Sequence, residues 1–298
     1  MRRWLAAAAA AGAVAALALG GCSGRPAGVD GDLTDDWTAL AAAKPFQPEP
    51  GTCNAGTVGS GSLASFEPID CGSEYWVQVV HRGTFTGAPA GRATPPAEKG
   101  SDVKAAYGEC DRAAKEFLGG EWRAARLSLS VVLPTPQAWK GGARWFRCDV
   151  GEARSLDDTS LTLRKGSLQG VLAKPSPLAL GCFNPTAVKN RIDEMVAVSC
   201  AKGHHAEFVG VYTAPDTAYT SFERNDSAIH QACLKVVATY AKLPKDGDLQ
   251  YRTGTIYYYP PEDDWAQGNR GVQCFMWRSD RTLTRSVKGA GAKLLPVS

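Results

Sequence analysis

Two stretches of the chain carry apolar residues at three- and four-residue spacing. Val103, Ala106, Cys110, Ala114 and Phe117 form one stripe, and Ile229, Cys233, Val236 or Val237, and Tyr240 form the other. Each predicts an amphipathic helix. Ser101 and Ser227 stand where N-caps belong, and Gly119-Gly120 ends the first helix. β-leaning segments flank the helices: 65–71, 75–80 and 127–133 in the first half, and 193–199, 206–212 and 251–259 in the second. Pro134 and Pro260 close the last segment of each set. A Pro- and Gly-rich loop over 88–101 is peculiar to the first half.

The same order of elements in both halves is matched by a repeated motif. Pro134-x4-Trp139-x2-Gly142-x-Arg144-x3-Cys148 recurs, spacing for spacing, as Pro260-x4-Trp265-x2-Gly268-x-Arg270-x3-Cys274. Such self-similarity marks two copies of one folding unit. The cysteines extend it: Cys53, Cys71, Cys110 and Cys148 in one set, and Cys182, Cys200, Cys233 and Cys274 in the other, the first two of each set 18 residues apart. Four cysteines allow three connectivities per unit. A helix cysteine on the apolar stripe can reach the strand cysteine after the repeated motif, and the 18-residue spacing can close a hairpin-like loop. The pairing expected on that basis is Cys53–Cys71, Cys110–Cys148, Cys182–Cys200 and Cys233–Cys274. The fold class expected is α+β: two tandem homologous disulfide-bonded domains, residues 46–172 and 176–298, each mainly short antiparallel strands with one helix. In the repeated motif, proline ends a strand, tryptophan fills a core, glycine permits a tight turn and arginine offers a fork to a carboxylate or carbonyl. All four jobs are structural. The rival reading is an exposed Trp265 and Arg270 that bind a ligand.

The amino terminus changes the setting. Arg2 and Arg3, an apolar run from Trp4 to Leu19 and then Leu19-Gly20-Gly21-Cys22 form a secretory signal over 1–21. The Leu-x-x-Cys ending is similar to a bacterial lipobox, which implies a lipid on Cys22, the one cysteine outside both sets of four. Residues 22–45, rich in Gly, Pro, Ala and Asp with a short helix after Asp35-Asp36-Trp37, read as a flexible tether. The expected location is the extracellular face of the cytoplasmic membrane, where disulfides persist. The formal net charge of +3 falls by two once Arg2 and Arg3 leave with the signal, which argues against nucleic acid as a partner.

Candidate chemistry is sparse. His204, His205 and Glu207 are the one cluster of metal or acid-base type. In a strand His205 and Glu207 would share a face while His204 points elsewhere, and zinc wants three or four protein ligands. Local hydrogen bonding at a strand edge is the expected role, with no metal and no cofactor. No Gly-x-Ser-x-Gly elbow precedes a helix, and the glycine-rich Gly56–Gly61 lacks the lysine of a phosphate loop. Asp263 and Asp264 read as a solvated turn. In Tyr257-Tyr258-Tyr259, alternation sends Tyr257 and Tyr259 to one face and Tyr258 to the other, while the first half has Val131, Val132 and Leu133 there. Core packing is the simpler role for these tyrosines; recognition of a sugar ring or a protein is the alternative.

Gly181-Cys182-Phe183-Asn184, Val198-Ser199-Cys200-x3-His204-x2-Glu207-Phe208-Val209, Cys233 and the second copy of the repeated motif together resemble the septum formation domain family of actinobacterial envelope proteins. The resemblance covers about residues 176–285, more weakly the first half, where Tyr75 and Gln78 replace His204 and Glu207. It implies an extracytoplasmic role at the cell envelope, at the septum. Taken with the lipobox-like ending, the expected protein is a membrane-anchored lipoprotein that binds or scaffolds there, with division proteins or glycan as partners and no catalytic residue. Tyr257, Tyr259, Trp265, Arg270, His204 and Glu207 are the candidate binding residues. A ligand-binding lipoprotein for a glycan or small molecule, and an envelope hydrolase using His204 or His205, are the alternatives.

Overall fold

Val77, Gln78, Val79 and Val80 are all buried, so this run forms the central strand of a sheet covered on both faces. The structure, a computed structural model, describes residues 46–188, 191–244 and 246–297. The expected signal, lipidated Cys22, tether and short helix all fall outside these residues. The elements run β1 (Cys53–Asn54), β2 (Pro68–Ile69), β3 (Val77–Thr84), α1 (Ser101–Leu118), β4 (Leu127–Val132), α2 (Pro136–Lys140), β5 (Trp145–Ala153) and β6 (Leu161–Thr162). They continue β7 (Cys182–Val188), β8 (Arg191–Val198), β9 (Ala206–Thr213), α3 (Asp226–Ala241), β10 (Gly254–Tyr258), α4 (Glu262–Gln267) and β11 (Gly271–Trp277). The fold is α+β, with antiparallel pairing in both sheets.

The first sheet has the order β2-β1-β3-β5-β4, with β6 on β5, and the second the order β8-β7-β9-β11-β10. Read from the first strand of each half, the two orders are the same. The irregularities match as well. Val80 is bulged out between the β3 pairs Val79–Asp149 and His81–Cys148, and Val209 between the β9 pairs Phe208–Phe275 and Gly210–Cys274. Residues Pro45–Ser298 form one compact unit in which each sheet keeps its own helix and core.

Each helix lies on one face of its sheet and is bonded to it. Disulfides join Cys110 to Cys148 and Cys233 to Cys274, helix to β5 or β11, and join Cys53 to Cys71 and Cys182 to Cys200 at the sheet margin. Every bridge stays within one half. The helix stripes are close to those expected, with Leu118 rather than Phe117 fully buried in α1, and Val237 rather than Val236 in α3. Ser101 and Ser227 are helical residues instead of caps, one or two positions inside the ends set by Gly100 and Asn225. Gly119 closes α1 in the left-handed region, φ 77°, where a side chain would be strained.

Two expected strands shorten for local reasons. In 65–71 only Pro68–Ile69 pairs, because the Ser62 hydroxyl accepts from the Ala64 N–H and winds Leu63–Ser65 into a 3-10 turn. In 251–259 the strand begins at Gly254. The preceding Leu249–Arg252 turn is helical and buries Arg252, whose guanidinium donates to the Leu295 carbonyl while Arg278 donates to the Arg252 carbonyl.

The repeated motif builds the same corner twice. Its middle is a short helix, α2 or α4, so Asp263 and Asp264 belong to the first turn of a helix and not to a solvated loop. Trp139 and Trp265 are buried, and each indole N–H donates to a backbone carbonyl, of Arg92 at 2.8 Å and of Thr217 at 2.9 Å. Each motif arginine lies 4.2 Å over its tryptophan ring and donates to that tryptophan's carbonyl. Gly142 and Gly268, at φ 96° and 113°, make the reversal that brings the arginine back. Arg270 also pairs with Asp216. Trp265 therefore presents no face to a ligand, and the Arg270 fork is occupied.

The two halves meet through Arg123. Its guanidinium, 7% exposed, donates to Asn269 at 2.8 and 2.9 Å across the junction, and to Asp111, Glu121 and the Tyr107 hydroxyl on its own side. Among the described residues no helix is long and apolar enough to cross a membrane. Truncating a buried indole forfeits both its apolar contacts and the arginine stacked on it, so Trp139→Ala and Trp265→Ala should each cost about 3–5 kcal/mol. Chemical denaturation checks this, and similar losses at the two positions are the expected result.

Candidate functional site

Three places hold the candidate residues. On β10, the edge strand of the second sheet, Tyr257 and Tyr259 point to the α3 side and Tyr258 to the other, as alternation requires. Tyr257 and Tyr259 are half-buried, with ring centroids 6.0 Å apart. The Tyr257 hydroxyl donates to Asp226, and its ring meets His230 edge-on at 4.9 Å. His230 Nδ1 lies 2.6 Å from the Thr255 hydroxyl. Asp226 and His230 sit four residues apart on α3, so helical spacing carried a signal for them; their meeting with Tyr257 came from tertiary packing. Burial, reinforced by the Asp226 carboxylate, raises the Tyr257 phenol, which stays protonated. Tyr259 packs on Tyr219 and Phe222, which in turn pack on Trp265.

Tyr258 faces the first half. Its hydroxyl donates to Asp157 at 2.5 Å, and Asp157 also accepts the Met195 N–H at 2.8 Å, so the loop after β5 is fastened to the back of the second sheet. Beside this contact a cleft of about 280 Å³ opens between the halves, lined by Trp122, Leu127, Leu156, Tyr258, Asp264 and Gln273 among others. Burial, and then the charge of Asp263, push the Asp264 carboxyl upward. Asp157 did not stand out in the sequence, and Asp264 read only as part of a solvated turn, because each acquires its setting from the opposite half.

The third place is the start of β9. His204 and Glu207, not His205 and Glu207, come together. The chain bends at His205 before the strand begins at Ala206, which rotates the two residues onto one side. His205 turns away, with Nδ1 2.8 Å from the Arg278 carbonyl and Nε2 3.4 Å from the Thr282 hydroxyl. His204 and Glu207 are both buried. Glu207 Oε1 accepts from the Tyr240 hydroxyl at 2.8 Å and from Ser286, and Oε2 accepts the Val287 N–H at 2.8 Å. Burial, followed by the Glu207 bond, pushes the Tyr240 phenol up to about 12. His204 pairs through its backbone with Leu283 in both directions. The carboxylate therefore fastens the segment after β11 across the sheet margin.

The first half performs the same task with an amide. Gln78 Oε1 accepts the Leu168 N–H at 2.7 Å, Gln78 Nε2 donates to Ser167, and Tyr75 pairs through its backbone with Arg164. Ser167-Leu168 and Ser286-Val287 are thus equivalent straps. A family described as Septum formation matches residues 50–274. The chain belongs to the Septum formation family. The match runs continuously across both sheets, where the resemblance seen in the sequence lay chiefly in the second. No curated protein and no solved structure matches. Within the Septum formation match fall all four disulfides, both motif corners and the aromatic edge.

Since an amide holds the first strap, Glu207→Gln should cost less than about 1 kcal/mol. Glu207→Ala removes three acceptor bonds and should cost about 2–3 kcal/mol. Hydrogen exchange at Leu283 and Val287 is the measurement, with rapid exchange in the alanine variant and near-native protection in the glutamine variant.

Proposed function

We propose that this member of the Septum formation family is an extracytoplasmic lipoprotein built from a repeated module. It is held on the outer face of the cytoplasmic membrane by a lipid on Cys22 and binds or scaffolds a partner at the cell envelope during septum formation. The observation that carries the binding role is the difference between two sheets of equal topology. Where β4 ends in Val131 and Val132 and is followed by Leu133, β10 ends in Tyr257 and Tyr258 and is followed by Tyr259. An edge strand bearing half-buried tyrosines beside the Asp226 carboxylate suits protein recognition, because tyrosine contributes large contact area with a polar tip.

Catalysis has little support at this edge: the Tyr257 phenol is raised and stays protonated, and the His230 Nδ1 lies within hydrogen-bond distance of Thr255. A second reading, capture of a glycan, is favoured by the cleft beside Tyr258, where apolar walls and the Asp264 carboxyl stand together.

Capture of division proteins from detergent-solubilised membranes tests the first reading. A Tyr257→Ala/Tyr259→Ala variant, folded by circular dichroism although its melting temperature falls by several degrees, should lose capture by about 30-fold or more at a temperature well below that melt, the scale of a 2 kcal/mol anchor. Equal capture by both forms would sink it. Retention on isolated cell-wall glycan that is lost on Asp264→Ala would favour the second reading instead. Cys22→Ala should move the protein from the membrane to the soluble fraction.

A further inference from the structure

We propose that the Cys182–Cys200 disulfide masks a transition-metal site of the zinc class. One ligating atom from each of Cys182, His204 and Glu207 lies within 4.8 Å of the other two, and all three residues are buried. His204 is oriented as a ligand would be. Its Nδ1 donates to the Lys202 carbonyl at 2.8 Å, the support that a metal-bound imidazole ordinarily has, while Nε2 is buried with no hydrogen-bond partner. An unpaired polar atom inside a protein is costly, and a cation at this place would satisfy it. Glu207 is held just as firmly by Tyr240, Ser286 and the Val287 N–H, which leaves one lone-pair position of Oε2 open.

In the oxidised chain the sulfurs are bonded to one another and supply no thiolate. Reduction by a dithiol breaks the S–S bond: two electrons and two protons pass to Cys182 and Cys200, and the dithiol becomes a cyclic disulfide. A metal ion then displaces the Cys182 thiol proton to water. The Cys182 thiolate, the His204 Nε2 and a Glu207 oxygen make an SNO set, which with water in the fourth position suits tetrahedral zinc and not magnesium or calcium.

The first half is a built-in control. Cys53–Cys71 has the same 18-residue span and the same place at the sheet margin. Around it, however, stand Tyr75, whose hydroxyl donates to the Gly166 carbonyl, and Gln78, whose amide nitrogen faces the Cys71 sulfur at 3.6 Å. A phenol and a carboxamide in those roles form no zinc site.

The test uses the full chain with single thiols exposed. Cys200→Ser frees the Cys182 thiol, and Cys71→Ser frees Cys53, each leaving three disulfides in place. Zinc retained after desalting and the visible spectrum with cobalt are read for both. Cys200→Ser should bind one metal per chain with a thiolate-to-cobalt charge-transfer band, and Cys71→Ser none. Adding His204→Ala to Cys200→Ser should weaken binding by more than about tenfold. Should Cys200→Ser not fold, as judged by circular dichroism, the dithiol-reduced wild-type chain and its His204→Ala variant are compared in the same way. Binding by neither serine variant, equal binding by both, or binding unaffected by His204→Ala overturns the proposal.

Discussion

In each half a disulfide between the middle of the helix and an interior strand, β5 or β11, holds the helix against its sheet, and the rest of the half is arranged about that bond. Cys110 and Cys148, like Cys233 and Cys274, are buried at the point where the neighbouring strand is bulged. A bulge adds one residue to one side of a ladder and increases the local twist. The helix then crosses the sheet over a bent surface, and the tryptophan corner fills the space beside it. Each bridge also closes a loop of moderate length, 38 residues in one half and 41 in the other. That removes conformational freedom from the unfolded chain. Sheets of five or six strands with only one covering helix gain much from such a constraint, since each half alone has limited apolar area to bury.

The two halves keep that scaffold and differ in what they hang on it. At the sheet margin one half uses Gln78 and the other Glu207 to hold an equivalent strap, so the bond to the strap's N–H is kept while the chemistry beside the disulfide changes from an amide to a carboxylate with an imidazole. At the outer edge, aliphatic β4 residues are replaced by tyrosines on β10. Sites of this kind are built where the scaffold tolerates change: an edge strand and a loop end have fewer packing partners than β3, β5, β9 or β11.

The halves are joined by polar contacts more than by a shared apolar core. Arg123 reaches Asn269, Gln273 donates to the Arg123 carbonyl at 2.8 Å, and Asp157 collects Tyr258 and Met195. A guanidinium has five donors in a rigid plane, so one residue can serve Asp111, Glu121, Tyr107 and Asn269 at once. The cleft beside Tyr258 exists because these contacts hold the halves together at a few points without closing the space between them.

Periodicity determined the two helices, because an amphipathic pattern records which face of a local element is buried, and β-leaning runs disclosed the α+β class and the places of β2, β3, β4, β8, β9 and β10. Spacing disclosed the repeated corner and the cysteine sets, since the same residues recur where the same backbone must turn. Tertiary structure decided what no local pattern encodes. The bend at His205 chose His204 as the neighbour of Glu207; the Arg252 burial shortened β10; and the junction gave Arg123, Asp157 and Asp264 their settings. A strand's period tells which way a side chain points only while the strand continues, and the partners of a buried charge lie far away in the chain. Those were settled by how the two sheets pack.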